Sequence, residues 1–121
     1  MTRLRLAIIF AKDLPRLTAF YRDGLGLPFL AERSRDGWAE LDAGGACLAL
    51  HAIPAAIAAG IEILDPPRRR EETPLKLAFE VEDLAAARAR LVAAGAVMSE
   101  PTRWGSCDGV DPEGNVFQIA E

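Results

Sequence analysis

Leu75-Lys76-Leu77-Ala78-Phe79-Glu80-Val81-Glu82-Asp83-Leu84-Ala85-Ala86-Ala87-Arg88-Ala89-Arg90-Leu91-Val92-Ala93-Ala94-Gly95 decides the fold, because two periods meet inside it. Over 75–81 the side chains alternate. Leu75, Leu77, Phe79 and Val81 share one face and Lys76, Ala78 and Glu80 the other, as in a half-buried strand. From Asp83 the period becomes helical: Leu84, Ala87, Leu91 and Ala94 form a stripe, Asp83 suits an N-cap and Gly95 a C-terminal stop.

The same grammar occurs earlier in the chain. Residues 4–11 are β-rich, Asp13 suits an N-cap, Pro15 fits a first helical turn, and Leu14, Leu17, Phe20 and Tyr21 recur at helical spacing before Gly24. Asp13-Leu14 and Asp83-Leu84 lie 70 residues apart, each after a strand and opening a helix. Strand-like stretches follow each helix, at 27–32, 37–43 and 46–51, then at 96–100, 103–110 and 115–120. Arg35-Asp36-Gly37, Gly44-Gly45 and Asp111-Pro112-Glu113-Gly114-Asn115 supply turns. Each half therefore reads β-α-β-β-β: module one over 3–52, a linker over 53–74 and module two over 75–121. The linker holds a short helical stretch over 54–60, and its Arg68-Arg69-Arg70 run, followed by Glu71-Glu72, reads as a solvated loop. Two such small units are expected to share one α+β architecture, a curved mixed sheet around a cavity.

Composition narrows the function. The 121 residues are 50% apolar and 26% charged, a soluble globular balance, and the net charge of −4 argues against a nucleic-acid partner. No apolar run approaches the ~20 residues that span a bilayer, so no membrane role is expected. The Met1–Phe10 stretch is too short for a signal peptide, and Lys12-Asp13 ends it without a cleavage site. Cys47 and Cys107 have no metal-type spacing and read as reduced thiols in the cytoplasm.

Three passages resemble the vicinal-oxygen-chelate superfamily, which includes glyoxalases, bleomycin-resistance proteins and ring-cleaving dioxygenases. The first is Asp13-Leu14 with Phe20-Tyr21-Arg22-Asp23-Gly24-Leu25-Gly26-Leu27. The second is Val81-Glu82-Asp83-Leu84 with Gly95, and the third is Asp111-Pro112-Glu113-Gly114-Asn115-Val116-Phe117-Gln118-Ile119. The resemblance implies two βαβββ modules and, in the enzymes, a divalent metal held by His, Glu or Gln at four strand positions. Those positions fall here on Leu6, Ala49, Lys76 and Gln118, of which only Gln118 can ligate a cation. No metal and no other cofactor is therefore expected.

Strand parity proposes a cavity lining. Ala39 and Leu41 oppose Trp38, Glu40 and Asp42; Leu48 and Leu50 oppose Cys47, Ala49 and His51; Phe117 and Ile119 oppose Val116, Gln118 and Ala120. The candidate ligand residues are Trp38, Glu40, Cys47, His51, Lys76, Glu80, Trp104 and Gln118. Each has a plainer reading. Cys47 can be a buried filler, His51 a surface residue, and Lys76 half of an ion pair with Glu40 or Glu80. Trp38 and Trp104 can pack in a core or dimer contact. The expected function is a metal-free protein, similar to the bleomycin-resistance branch, that binds a small aromatic or cationic molecule as a homodimer. The alternatives are a glyoxalase-like lyase or dioxygenase with a displaced metal site at Gln118, His51 and Glu40, and a non-catalytic interaction or sensing module.

Overall fold

Both acidic caps are in place in the computed structural model, which describes residues 1–121. The Asp13 carboxylate accepts the Arg16 N–H at 3.1 Å and that of Asp83 accepts the Ala86 N–H at 3.0 Å, each satisfying a donor that a helix start leaves bare. The chain divides into two units, Met1–Glu62 and Ile63–Glu121.

The first unit contains β1 (Leu6–Ala11), α1 (Leu14–Ala19), β2 (Trp38–Asp42), β3 (Cys47–Ala52) and the short α2 (Ala55–Ala58). Its sheet has the order β1-β3-β2, with β1 parallel and β2 antiparallel to β3. The β1–β3 pair needs a crossover, and α1 lies within it, packed against β3 and β2. Leu17, Phe20, Tyr21, Leu41, Leu48 and Leu50 are buried there, and the Phe20 and Tyr21 rings meet edge to face at 4.9 Å.

The second unit contains β4 (Leu77–Glu80), α3 (Leu84–Ala93), β5 (Val97–Met98), β6 (Ser106–Val110) and β7 (Val116–Ala120), in the sheet order β4-β7-β6-β5. Again the first and last strands are parallel. Leu84, Ala87 and Leu91 of α3 are buried with Phe117, Ile119 and Cys107. Gly95, at φ +106°, ends the helix: its N–H bonds to the Val92 carbonyl and that of Ala96 to Leu91, the paired geometry that a left-handed residue permits. Gly109 lets Met98 and Phe117 close over the sheet, since a Cβ there would stand 2.5 Å from both side chains.

Between β6 and β7 the Asp111 carboxylate accepts the N–H groups of Glu113 at 2.9 Å and Asn115 at 3.0 Å, and also the Asn115 amide. This is why Asp and Asn stand at those turn positions. Arg68, Arg69 and Arg70 are exposed as expected, but Arg70 is tied back through its Nε to the Glu113 carbonyl at 3.0 Å.

Four expectations need correction. The stretch 96–100 is strand only over Val97–Met98. The stretch 27–32 is not a strand: Phe29 makes one bridge to Leu41 and Ala31–Arg33 turn into a 3-10 helix. Pro28 has no N–H to give a ladder. The stretch 103–110 starts its strand only at Ser106, because the Thr102 hydroxyl gathers the N–H groups of Trp104 and Ser106 into a turn. The stretch 75–81 is strand only over Leu77–Glu80, leaving Leu75 and Lys76 outside it. No helix is long and apolar enough to cross a membrane.

Candidate ligand cleft

Register fixes what the first sheet presents on its far face, the side turned away from α1. Phe10 pairs with His51 and His51 with Trp38; Ile8 pairs with Ala49 and Ala49 with Glu40. Paired residues point to the same side of a sheet, so these make two adjacent cross-strand rows. The first row is aromatic throughout. The Phe10 and His51 rings lie 5.7 Å apart and those of His51 and Trp38 5.4 Å, the latter pair at 64°. Phe10 is 61% exposed and Ile8 48%, so large apolar surface stands open on this side.

Glu40 anchors the second row. Although charged, it is 3% exposed. Its carboxylate accepts the Trp38 Nε1–H at 3.3 Å and faces Arg33 Nη1 at 3.5 Å. A buried carboxylate needs such partners. Its backbone is held as well: the Glu40 N–H donates to the Ser34 hydroxyl at 3.0 Å, and that hydroxyl donates to the Leu30 carbonyl at 2.8 Å. Arg33 Nη1 also reaches Cys47 Sγ at 3.6 Å, and the Arg35 guanidinium sits 4.9 Å from the centre of the Trp38 ring. Beside these groups opens a cleft of about 660 Å³ lined by Arg5, Leu6, Arg33, Arg35, Trp38 and Glu40.

Strand parity predicts Trp38, Glu40, Cys47 and His51 on one face, and the sheet brings them together there. Parity missed the three arginines. Arg33 ends the 3-10 turn that replaces the strand expected over 27–32. Arg35 opens the Arg35-Asp36-Gly37 turn, which forms as expected, and an arginine on a loop carries no periodic signal. The remaining candidates belong to the second unit. Lys76 ion-pairs with Asp108 at 3.3 Å, and the Gln118 amide donates to the same carboxylate oxygen at 3.3 Å. Lys76 thus takes the ion-pair role considered for it, with Asp108 as partner where Glu40 or Glu80 was expected. Glu80 is exposed on β4. Trp104 is 77% exposed on a turn, with the Arg103 guanidinium 4.3 Å from its ring centre.

The positions at which the superfamily's enzymes hold a divalent metal do not fit one here. Leu6 and Ala49 carry no donor atom, Lys76 is a cation, and the Gln118 amide is engaged by Asp108. No group of three or more His, Cys, Asp or Glu side chains is arranged to hold a metal ion.

A βαββ unit followed by a βαβββ unit, each with its first and last strands parallel and a helix on one face, follows the architecture of the vicinal-oxygen-chelate superfamily. The chain belongs to the glyoxalase-like domain family, whose model matches residues 6–120. A glyoxalase/bleomycin resistance protein/dioxygenase family enzyme from Burkholderia phytofirmans PsJN is similar in structure, with a TM-score of 0.75 and 25% identity over 98% of this chain and 97% of that one. The fosfomycin resistance protein FosX of Mesorhizobium loti shares the fold at a TM-score of 0.71 and 14% identity, covering 99% of this chain and 91% of its own. TnmS3, an antibiotic-binding protein from Streptomyces sp. CB03234, does so at 0.64 and 23%, covering 99% and 95%. No curated protein matches the chain.

Proposed function

We propose that this protein binds a small planar molecule, without a metal, in the cleft of its first unit. The observation that carries the reading is Trp38. Its indole lines a cleft of about 660 Å³ and is held at one edge by Glu40 and on its ring by Arg35. Such a volume falls in the ~300–1,000 Å³ range of small-molecule sites, and a pre-positioned indole gives a flat ligand a stacking surface without ordering cost. The likeness to an antibiotic-binding protein supports the same reading. Two free cysteines suit the reducing cytoplasm, where we place the protein.

The test is a thermal-shift screen of planar small molecules, run with and without a strong chelator. Ligands that raise the melting temperature equally in both conditions are expected, because binding to the native state alone stabilises it. Shifts that vanish with chelator would replace this reading with the metal-dependent lyase or dioxygenase, and the absence of any shift would favour an interaction module. We further propose a homodimer, since exposed Ile8 and Phe10 leave apolar surface on a sheet that paired chains can cover. Light scattering that gives the monomer mass at micromolar concentration would exclude it.

A further inference from the structure

The charge lining the cleft has the opposite sign to that of the chain. Arg5, Arg33 and Arg35 face a single carboxylate, Glu40, in a protein whose formal net charge is −4. The Glu40 charge is answered on the spot by Arg33 and the Trp38 indole N–H. Asp42, the other acid in that strand on the same face, does not line the cleft, and its carboxylate accepts the Gly44 N–H at 2.8 Å. Arg5 and Arg35 have no carboxylate within ion-pair distance, and both are exposed. Two guanidiniums without acid partners thus border a stacking surface. Glu32 and Asp36, the chain neighbours of Arg33 and Arg35, are exposed and do not line the cleft, and acids farther off are screened beyond ~8 Å at physiological salt.

A cationic ligand is poorly served by this arrangement. Arg35 already occupies the cation position over the Trp38 ring, and a second cation would meet Arg5 and Arg35 as like charges. A flat acid meets none of these obstacles. Guanidinium donors match carboxylate and phosphate oxygens in a planar fork, which a lysine ammonium does not. We propose that the cleft selects a flat aromatic oxyanion, its ring against Trp38 and its negative group against Arg5 and Arg35. This rests on the reading of the cleft as a binding site and adds the class of ligand.

The experiment uses the full chain labelled with ¹⁵N, in which the Trp38 indole resonance is identified by its loss in Trp38→Phe. Four probes of one shape are titrated: 1-naphthoate, 1-naphthyl phosphate, 1-naphthamide and 1-naphthylmethylammonium. At least one of the acids is expected to move the Trp38 indole and bind about tenfold or more tighter than the amide, with the ammonium weakest. Added salt should weaken the acid and leave the amide unchanged. The double variant Arg5→Gln, Arg35→Gln should bring acid and amide to equal affinity. Both side chains are exposed, and the salt series on the unaltered protein tests the same charge term if that variant misfolds. Whichever acid binds tighter identifies the oxyanion as carboxylic or phosphoryl. Equal affinity across the probes, or the ammonium binding tightest, overturns the anion selectivity while the cleft remains a binding site. If no probe moves the Trp38 indole, the binding-site reading falls with it.

Discussion

Glu40 in β2 and Asp108 in β6 occupy the same place in the two units. Each lies next to a central-strand residue, Ala49 or Gln118, that pairs in turn with the unit's first strand. Their surroundings differ. The Glu40 side chain is 5% exposed and clasped by an indole N–H and a guanidinium, whereas that of Asp108 is 52% exposed and shared between Lys76 and the Gln118 amide. The neighbouring rows differ too. Phe10, His51 and Trp38 stand in the first unit where Glu80, Ala120 and Ser106 stand in the second. One backbone plan thus carries an aromatic, arginine-lined cleft in one copy and a solvated polar cluster in the other. What separates them is which side chains flank the acid, together with the 3-10 turn that delivers Arg33 in the first unit where the second has β5.

The most direct way to break that comparison is to remove each acid. Glu40→Ala leaves the Trp38 indole N–H without its acceptor and opens a void, at a cost of about 1–3 kcal/mol. Asp108→Ala removes an exposed pair and is expected to change stability by less than ~0.5 kcal/mol. Urea unfolding midpoints at constant slope measure both. Equal shifts would show that the Glu40 clasp is no more than a surface contact.

A smaller effect separates the tryptophans. Trp38→Ala should weaken binding of a planar ligand several-fold, since an aromatic contact of this kind contributes ~0.5–2 kcal/mol. Trp104→Ala, on its exposed turn, should leave affinity unchanged. If Trp38→Ala instead lowered dimerisation or melting temperature at unaltered affinity, the indole would belong to an interface and the contrast between the two faces would lose its functional meaning.

The architecture was legible because its punctuation is local. Asp13 and Asp83 cap through their own third residue onward, Gly95 stops α3 through its own positive φ, and the alternation in β3 and β7 reads directly as buried Leu48 and Leu50 or Phe117 and Ile119. Half of the candidate site was legible for the same reason, since parity within β2 and β3 assigns Trp38, Glu40, Cys47 and His51 to one side. Tertiary closure was hidden. Leu27, Phe29 and Leu30 look like a strand, yet Pro28 and the Ser34 side chain bend the segment into a turn that delivers Arg33. The Arg5, Arg33 and Arg35 side chains meet only after β1, that turn and β2 have been assembled, so no spacing along the chain announces them.

The helix ends sharpen the comparison at the lowest energies. Whereas α3 stops at Gly95, α1 runs on into a π-helical turn over Phe20–Gly24, closed by the Leu25 N–H to the Phe20 carbonyl at 3.3 Å. The turn buries both Phe20 and Tyr21 and turns Arg22 and Asp23 outward, where they pair through two hydrogen bonds of 2.8 Å. Those hydrogen bonds from Arg22 lower the Asp23 carboxyl pKa from its ordinary value, its partial desolvation acting in the opposite sense. A carboxyl whose pKa is depressed by folding stabilises the fold above its unfolded value, and that contribution is lost as pH falls through the folded value. With both groups in solvent the effect on stability is small, so the titration itself is the sensitive readout. Carbon-detected NMR of the Asp23 carboxyl should show a lower midpoint in the unaltered protein than in Arg22→Gln, and the gap should narrow in high salt. Coincident midpoints at low salt would mean that the pair does not persist in solution, and that the π turn is held by its backbone hydrogen bonds and buried aromatic pair without it.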